Sequence, residues 1–119
     1  MTITPSSKHS MSGFSSWGVT PDLRLKPEVT APGGNIYSSV PDGAYGFMSG
    51  TSMATPQLTG ASAVVLQRVQ SDPLFASMDA RHKSDVVQNL LMGTATPVVD
   101  PLQDTGAYYS PRRDGGRAW

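Results

Sequence analysis

Between Ser52 and Gln67 the chain carries no charged residue, while Met53, Leu58, Val64, Val65 and Leu66 are apolar and Ala54, Gly60, Ala61 and Ala63 are small. A helix exposed on one side shows a charged stripe, and this stretch has none. The pattern predicts a helix from Ser52 to about Gln70 that is covered on most sides, with Gly60 permitting a neighbour to approach closely. Pro56 falls near its start, where a missing N–H matters least. Directly ahead stands the small-residue turn Gly50-Thr51-Ser52. A helix start aims unsatisfied backbone N–H groups at whatever lies before it, so the Ser52 hydroxyl is the best candidate nucleophile in the chain.

The preceding segments predict how the chain reaches that turn. Residues 5 to 18 are rich in serine and glycine and read as an extended loop ending in Phe14 and Trp17, whose rings are read as core or edge packing. Pro21, Pro27 and Pro32 exclude a helix from 21 to 34 and leave loop with one short strand around Glu28 to Thr30. Ile36 to Val40 and Tyr45 to Ser49 read as two strands joined by the turn Pro41-Asp42-Gly43, forming a hairpin that delivers the chain to Gly50. A second helix is expected to begin at Ser84 as N-cap, with Val86, Val87, Leu90 and Leu91 on one face and Gly93 at its end. The tail from Pro101 shows no periodicity that suggests packed structure. Twelve glycines and ten prolines in 119 residues fit a turn-rich α/β layout.

Composition removes several classes of function. Nine basic and nine acidic residues balance with no basic block, which excludes a nucleic-acid-binding face. There is no cysteine, so thiol chemistry, disulfides and cysteine metal sites are ruled out. No apolar run is long enough to span a membrane. Met1-Thr2-Ile3-Thr4-Pro5 has neither the basic start nor the apolar core of a signal peptide. Two isolated histidines and scattered acids form no recognisable metal site, and no cofactor is implied.

A serine hydroxyl needs a base and oxyanion donors before it attacks anything. The plainer reading of Gly50-Thr51-Ser52 is a turn plus a helix cap, and local physics leaves both readings open. The Gly-x-Ser-x-Gly elbow fails at Ala54. A Ser-x-x-Lys pair fails at all three lysines, which Pro5, Leu23 and Ala80 precede by three. His9, beside Lys8, and His82, between Arg81 and Lys83, have no carboxylate implied nearby and read as solvated side chains.

The seven residues Gly50-Thr51-Ser52-Met53-Ala54-Thr55-Pro56 resemble the active-serine motif of subtilisin-like serine peptidases, the subtilases. Phe14-Ser15-Ser16-Trp17-Gly18, Lys26-Pro27-Glu28-Val29, Ala31-Pro32-Gly33 and Ile36-Tyr37-Ser38-Ser39 resemble the family's preceding segments. Tyr108-Tyr109-Ser110-Pro111-Arg112 resembles the segment that follows the catalytic core in lactocepin-type cell-envelope proteinases.

The resemblance implies that Ser52 is the acylated nucleophile. Thr51 and the Ser52 N–H would stand at the oxyanion site, Gly50 would admit the substrate backbone, and Met48 and Ser49 would line the leaving-group side. It implies the C-terminal portion of a parallel-sheet, three-layer α/β domain, with a buried central helix starting at the serine. Residues 12–96 would form the core segment, and 97–119 a tail leaving the domain. The substrates implied are proteins or peptides, and the parent enzyme would be secreted or held at the cell envelope.

The family's Asp, His and oxyanion Asn motifs have no counterpart here: His9 is followed by Ser10-Met11, His82 by Lys83-Ser84, and Asn35 and Asn89 stand in other contexts. The partner expected is therefore the upstream part of the catalytic domain. The alternative is a non-catalytic remnant or binding module that pairs with such a part. In either case the chain alone is expected to expose apolar surface.

Overall fold

The computed structural model describes residues 10–24, 26–100, 106–108 and 110. His9 and Arg112 lie outside the described residues. The chain is α/β, with strands β1 (Ile36–Val40) and β2 (Ala44–Met48) followed by helices α1 (Thr51–Ser71) and α2 (Ala80–Thr94).

β1 and β2 form the expected hairpin. They pair antiparallel from Ile36↔Met48 to Val40↔Ala44. The connection closes because Asp42 and Gly43 both take left-handed backbone angles, with φ of 66° and 70°. Glycine enters that region without steric cost and aspartate tolerates it better than most residues. Alternation along the strands puts Tyr37, Tyr45 and Phe47 on one face, where Tyr37 lies 5.8 Å from the Tyr45 ring and 4.9 Å from the Phe47 ring. Among the described residues this pair is the whole sheet, and it is antiparallel. No strand forms over 28–30. Thr30 makes only an isolated bridge, because Pro27 and Pro32 bracket a run too short to build a ladder.

The helix expected to be covered on most sides is exposed along much of its length. Val69 is its one buried residue, at 1% exposure, while Val64 is 68% exposed. The reason is that only one helix packs against it among the described residues: Val69 packs with Val87 and Leu91 of α2, and Leu58, Val65, Leu66, Phe75 and Val86 close around them. Gly60 faces open space. Pro56 is the sixth residue of the helix, beyond the first turn where its missing N–H would matter least. The helix ends at Asp72, which is extended, pairs with Arg68 at 3.2 Å and accepts the Leu74 N–H at 3.0 Å.

α2 starts four residues before the expected Ser84. Asp79 is the N-cap, and its Oδ1 accepts the backbone N–H of His82 at 2.8 Å. Aspartate caps as well as serine, and Ala80 to Lys83 have no objection to helical geometry, so the earlier cap prevails. The helix also runs through Gly93 to Thr94, and the Ala95 N–H closes it on the Leu91 carbonyl at 3.2 Å. The cap carries a pH signature. The His82 backbone N–H first, then its ring, hold the Asp79 carboxyl below its ordinary value of 3.8. A carboxylate lowered in the folded state stabilises fully above its ordinary value and loses that contribution as pH falls through the lowered one. The Asp79 carboxyl carbon is therefore expected to titrate in NMR with a midpoint below 3.8, and protection of the His82 amide is expected to fade over the same interval.

Of the core or edge packing read for Phe14 and Trp17, the core is excluded: Phe14 is about half exposed and Trp17 is 60% exposed, and the core is built on Val69, Val87 and Leu91. Ahead of Pro101, Val98 is buried, and two residues there reach described residues of the tail: Val99 bridges Tyr108, and the Asp100 N–H donates to the Ala107 carbonyl at 2.8 Å.

Candidate active site

The first turn of α1 is built by the hairpin beneath it. β2 ends at Met48, and Ser49 and Gly50 carry the chain into the helix. Gly50 is the N-cap at φ 158° and ψ 166°, a region used almost solely by glycine. Its carbonyl accepts the N–H groups of Met53 at 3.0 Å and Ala54 at 3.3 Å, which starts the helix. Its own N–H donates to the Gly33 carbonyl at 2.8 Å. Gly33 is buried against this contact. A Cβ there would stand 2.6 Å from the Gly50 oxygen and 3.1 Å from the Ala54 Cβ, so only glycine fits.

Ser52 is the second residue of α1 and is exposed, as are Thr51, Ser49 and Met48, whereas Gly50 is half-buried. Glycine offers no side chain to cap the helix, and no acidic residue stands in the first turn. The N–H groups of Thr51 and Ser52 therefore have no intrahelical acceptor and no capping oxygen, and the positive end of the helix dipole is not neutralised by a carboxylate. Pro56 adds nothing to these donors, since the group it frees is an acceptor. It has no N–H to offer the Ser52 carbonyl four residues earlier, and its ring crowds that carbonyl. The arrangement is suited to binding an oxygen that acquires negative charge beside an accessible hydroxyl.

No base stands ready for that hydroxyl among the described residues. The sequence implied no carboxylate beside His82, and the structure corrects this: His82 Nδ1 lies 2.8 Å from Asp79 Oδ1. The signal was Asp79-Ala80-Arg81-His82, an aspartate three residues ahead of the histidine at a helix start. The pair sits at the start of α2, where both side chains are exposed. Neither Asp79 nor His82 is bonded to Ser52: the pair serves the cap of α2.

A cleft of about 1330 Å³ runs beside the turn. Thr51, Ala54, Leu58 and Ser62 line it from α1, with Phe14, Val29, Pro32 and Val98 opposite. Those α1 positions recur every three or four residues and so share one face, which does not include Ser52. The cleft is a gap along the helix flank and not a pocket over the hydroxyl. The aromatic face of the hairpin is the other apolar surface close to the turn. The stacking of Tyr37 with Tyr45 and Phe47 depends on strand register and had no signal in the sequence.

The chain belongs to the subtilase family, whose model matches residues 1–113. It is 37% identical over 108 residues to the C5a peptidase of Streptococcus pyogenes, covering 91% of this chain and 9% of that protein. It is 36% identical over 123 residues to the PII-type and PI-type proteinases of Lactococcus lactis subsp. cremoris, covering 97% of this chain and 6% of each of them. The chain thus spans less than a tenth of the length of these relatives. No helix among the described residues is long and apolar enough to cross a membrane.

Proposed function

We propose that this chain is the serine-bearing segment of a subtilisin-like serine endopeptidase, with Ser52 as the nucleophile that is acylated during peptide-bond cleavage. The observation that carries the reading is the first turn of α1, where an exposed hydroxyl stands beside two uncapped N–H groups in a chain of the subtilase family. In the complete enzyme a histidine from outside this chain takes the Ser52 proton as Oγ bonds to the scissile carbonyl carbon. The carbonyl oxygen becomes an oxyanion and is held by the Ser52 N–H with Thr51 beside it. The C–N bond then breaks, the histidine passes its proton to the leaving amine, and water releases the acyl group by the same path. Gly50, without a side chain, lets the substrate backbone approach. Met48 and Ser49 flank the leaving-group side.

In that enzyme α1 is the central helix of a parallel-sheet, three-layer domain, and elements from outside this chain cover the face that borders the cleft. Residues 12–96 form the core segment and 97–119 lead out of the domain. Substrates are proteins or peptides, and the enzyme works in a secreted or cell-envelope setting.

The absence of a base beside Ser52 among the described residues favours a second statement: the 119-residue chain is not competent alone and acts by pairing with the Asp- and His-bearing part. A fluorophosphonate probe tests both. The purified chain is expected to stay unlabelled over hours and to gain stoichiometric labelling, with proteolysis, when that part is supplied. Rapid labelling of the chain alone, lost in Ser52→Ala, would place the base within it. No labelling and no proteolysis after a confirmed association would leave a binding module.

A further inference from the structure

Asn35 and Ser49 stand 14 residues apart at the two feet of the hairpin. The ladder itself ends at Ile36↔Met48, so both lie just outside it. The Asn35 N–H donates to Ser49 Oγ at 2.8 Å, and the Ser49 hydroxyl turns its own hydrogen toward Asn35 Oδ1 at 3.5 Å. The next bond outward joins Gly50 N–H to the Gly33 carbonyl at 2.8 Å, and the Gly50 carbonyl then receives Met53 and Ala54. The bonds form a continuous sequence from the hairpin to the first turn of α1. Asn35 adopts a left-handed φ of 52°, which asparagine tolerates better than other side-chain-bearing residues and which aims its N–H across to Ser49. A hydroxyl is the smallest group that both accepts and donates at that point.

We propose that Asn35 and Ser49 are positioning residues for Ser52, forming a latch that carries the rigidity of the hairpin into the first turn of α1. The latch continues the strand pairing past its last rung and fixes Gly50. Gly50 supplies the carbonyl on which α1 starts, so its position sets where the Ser52 hydroxyl and N–H stand. The chemical importance of that position rests on the proposed nucleophile role, whereas the latch itself is a property of this chain. Without it, the bond from Gly50 to Gly33 alone would tie the hairpin to α1, and the first turn would open more often.

Amide hydrogen exchange on the full 119-residue chain, resolved by NMR, tests the latch. In the unsubstituted chain the Asn35 and Gly50 amides are expected to exchange slowly. Ser49→Ala is expected to speed both by about tenfold, the effect of losing one hydrogen bond, and to speed Met53 and Ala54 with them. The Val87 and Leu91 amides in the core of α2 should stay unchanged. Ser49→Thr keeps the hydroxyl and is expected to restore protection to within about twofold of the original. Acceleration confined to Asn35, acceleration shared equally by the core, failure of Ser49→Thr to restore protection, or fast exchange at Gly50 in the unsubstituted chain would each overturn the proposal. These readings do not involve Ser52 chemistry. If Ser52→Ala leaves proteolysis intact, the nucleophile role falls and the latch stands; if the latch readings fail, the nucleophile role stands.

Discussion

Ser52→Ala is expected to abolish proteolysis by the complete enzyme, with kcat falling by about a million-fold. That magnitude is the one established for the serine of subtilisin, a member of this same family, and is carried over from there. The structural basis here is that no second group on the first turn of α1 can take over. Thr51 offers a hydroxyl one residue earlier, but it lies on the helix face that lines the flanking cleft, about 100° around the axis from Ser52. Residual activity is expected to persist at the level supplied by the uncapped N–H groups, since the substitution leaves the backbone of residues 50 to 54 in place. Because Ser52 is exposed and makes no contact with the Val69–Val87–Leu91 core, the circular dichroism spectrum and thermal midpoint should not change. Peptide-hydrolysis kinetics beside thermal denaturation of the same samples separates the two effects. An enzyme that keeps more than about a tenth of its kcat would exclude Ser52 as nucleophile, because loss of an activated nucleophile costs far more than that.

The second large effect is expected at Gly33, far from Ser52 in sequence. Gly33→Val would force a side chain into a position 2.6 Å from the Gly50 carbonyl oxygen and 3.1 Å from the Ala54 Cβ. Neither neighbour can move freely. The Gly50 oxygen holds the start of α1, and Ala54 is embedded in its first turn. The backbone must shift, which costs about 1–3 kcal/mol of stability in an overpacked site. It also breaks the 2.8 Å bond from Gly50 N–H to Gly33. Displacement of a reacting group by about 1 Å costs on the order of a hundred-fold in rate, so kcat/KM of the complete enzyme should fall by about that much with little change in substrate affinity. The control is Gly34→Ala. A Cβ at that neighbouring glycine meets nothing nearer than Ser12 Oγ at 3.9 Å, and its effect on urea midpoint and rate should be small. Equal effects of the two substitutions would show that the close approach at Gly33 does not govern the turn.

Local signals were legible wherever they were self-contained. Pro41-Asp42-Gly43 between two apolar runs announced the hairpin, because left-handed backbone angles at Asp42 and Gly43 are a local preference. The uncharged stretch after Ser52 announced α1 to within a residue at each end. Choices between equivalent local signals were not legible. Asp79 and Ser84 are both good caps, and the sequence offers no reason to prefer the earlier one; packing of Val87 and Leu91 against Val69 is satisfied by a helix that starts at Ala80. The Asp79–His82 pair followed from that choice and was missed with it. Contacts between distant residues were also out of reach. The grip of Gly33 on Gly50 and the bond between Asn35 and Ser49 join the two feet of a hairpin, and no propensity of a single residue encodes such a juxtaposition.

By itself, then, the sequence determined the family, the serine in the first turn of a helix, and the elements on either side of it, because motif register and hydrophobic period are properties of neighbouring residues. The tertiary structure decided which groups meet: that the turn at Ser52 is seated on Gly33, that Ser49 is tied to Asn35, and that the one histidine–carboxylate pair among the described residues forms at the cap of α2. It also decided that α1, apolar enough to be a central helix, has α2 as its one helical neighbour among the described residues and buries only Val69. A sequence states how much apolar surface a helix carries; how much of that surface is covered depends on the neighbours that reach it.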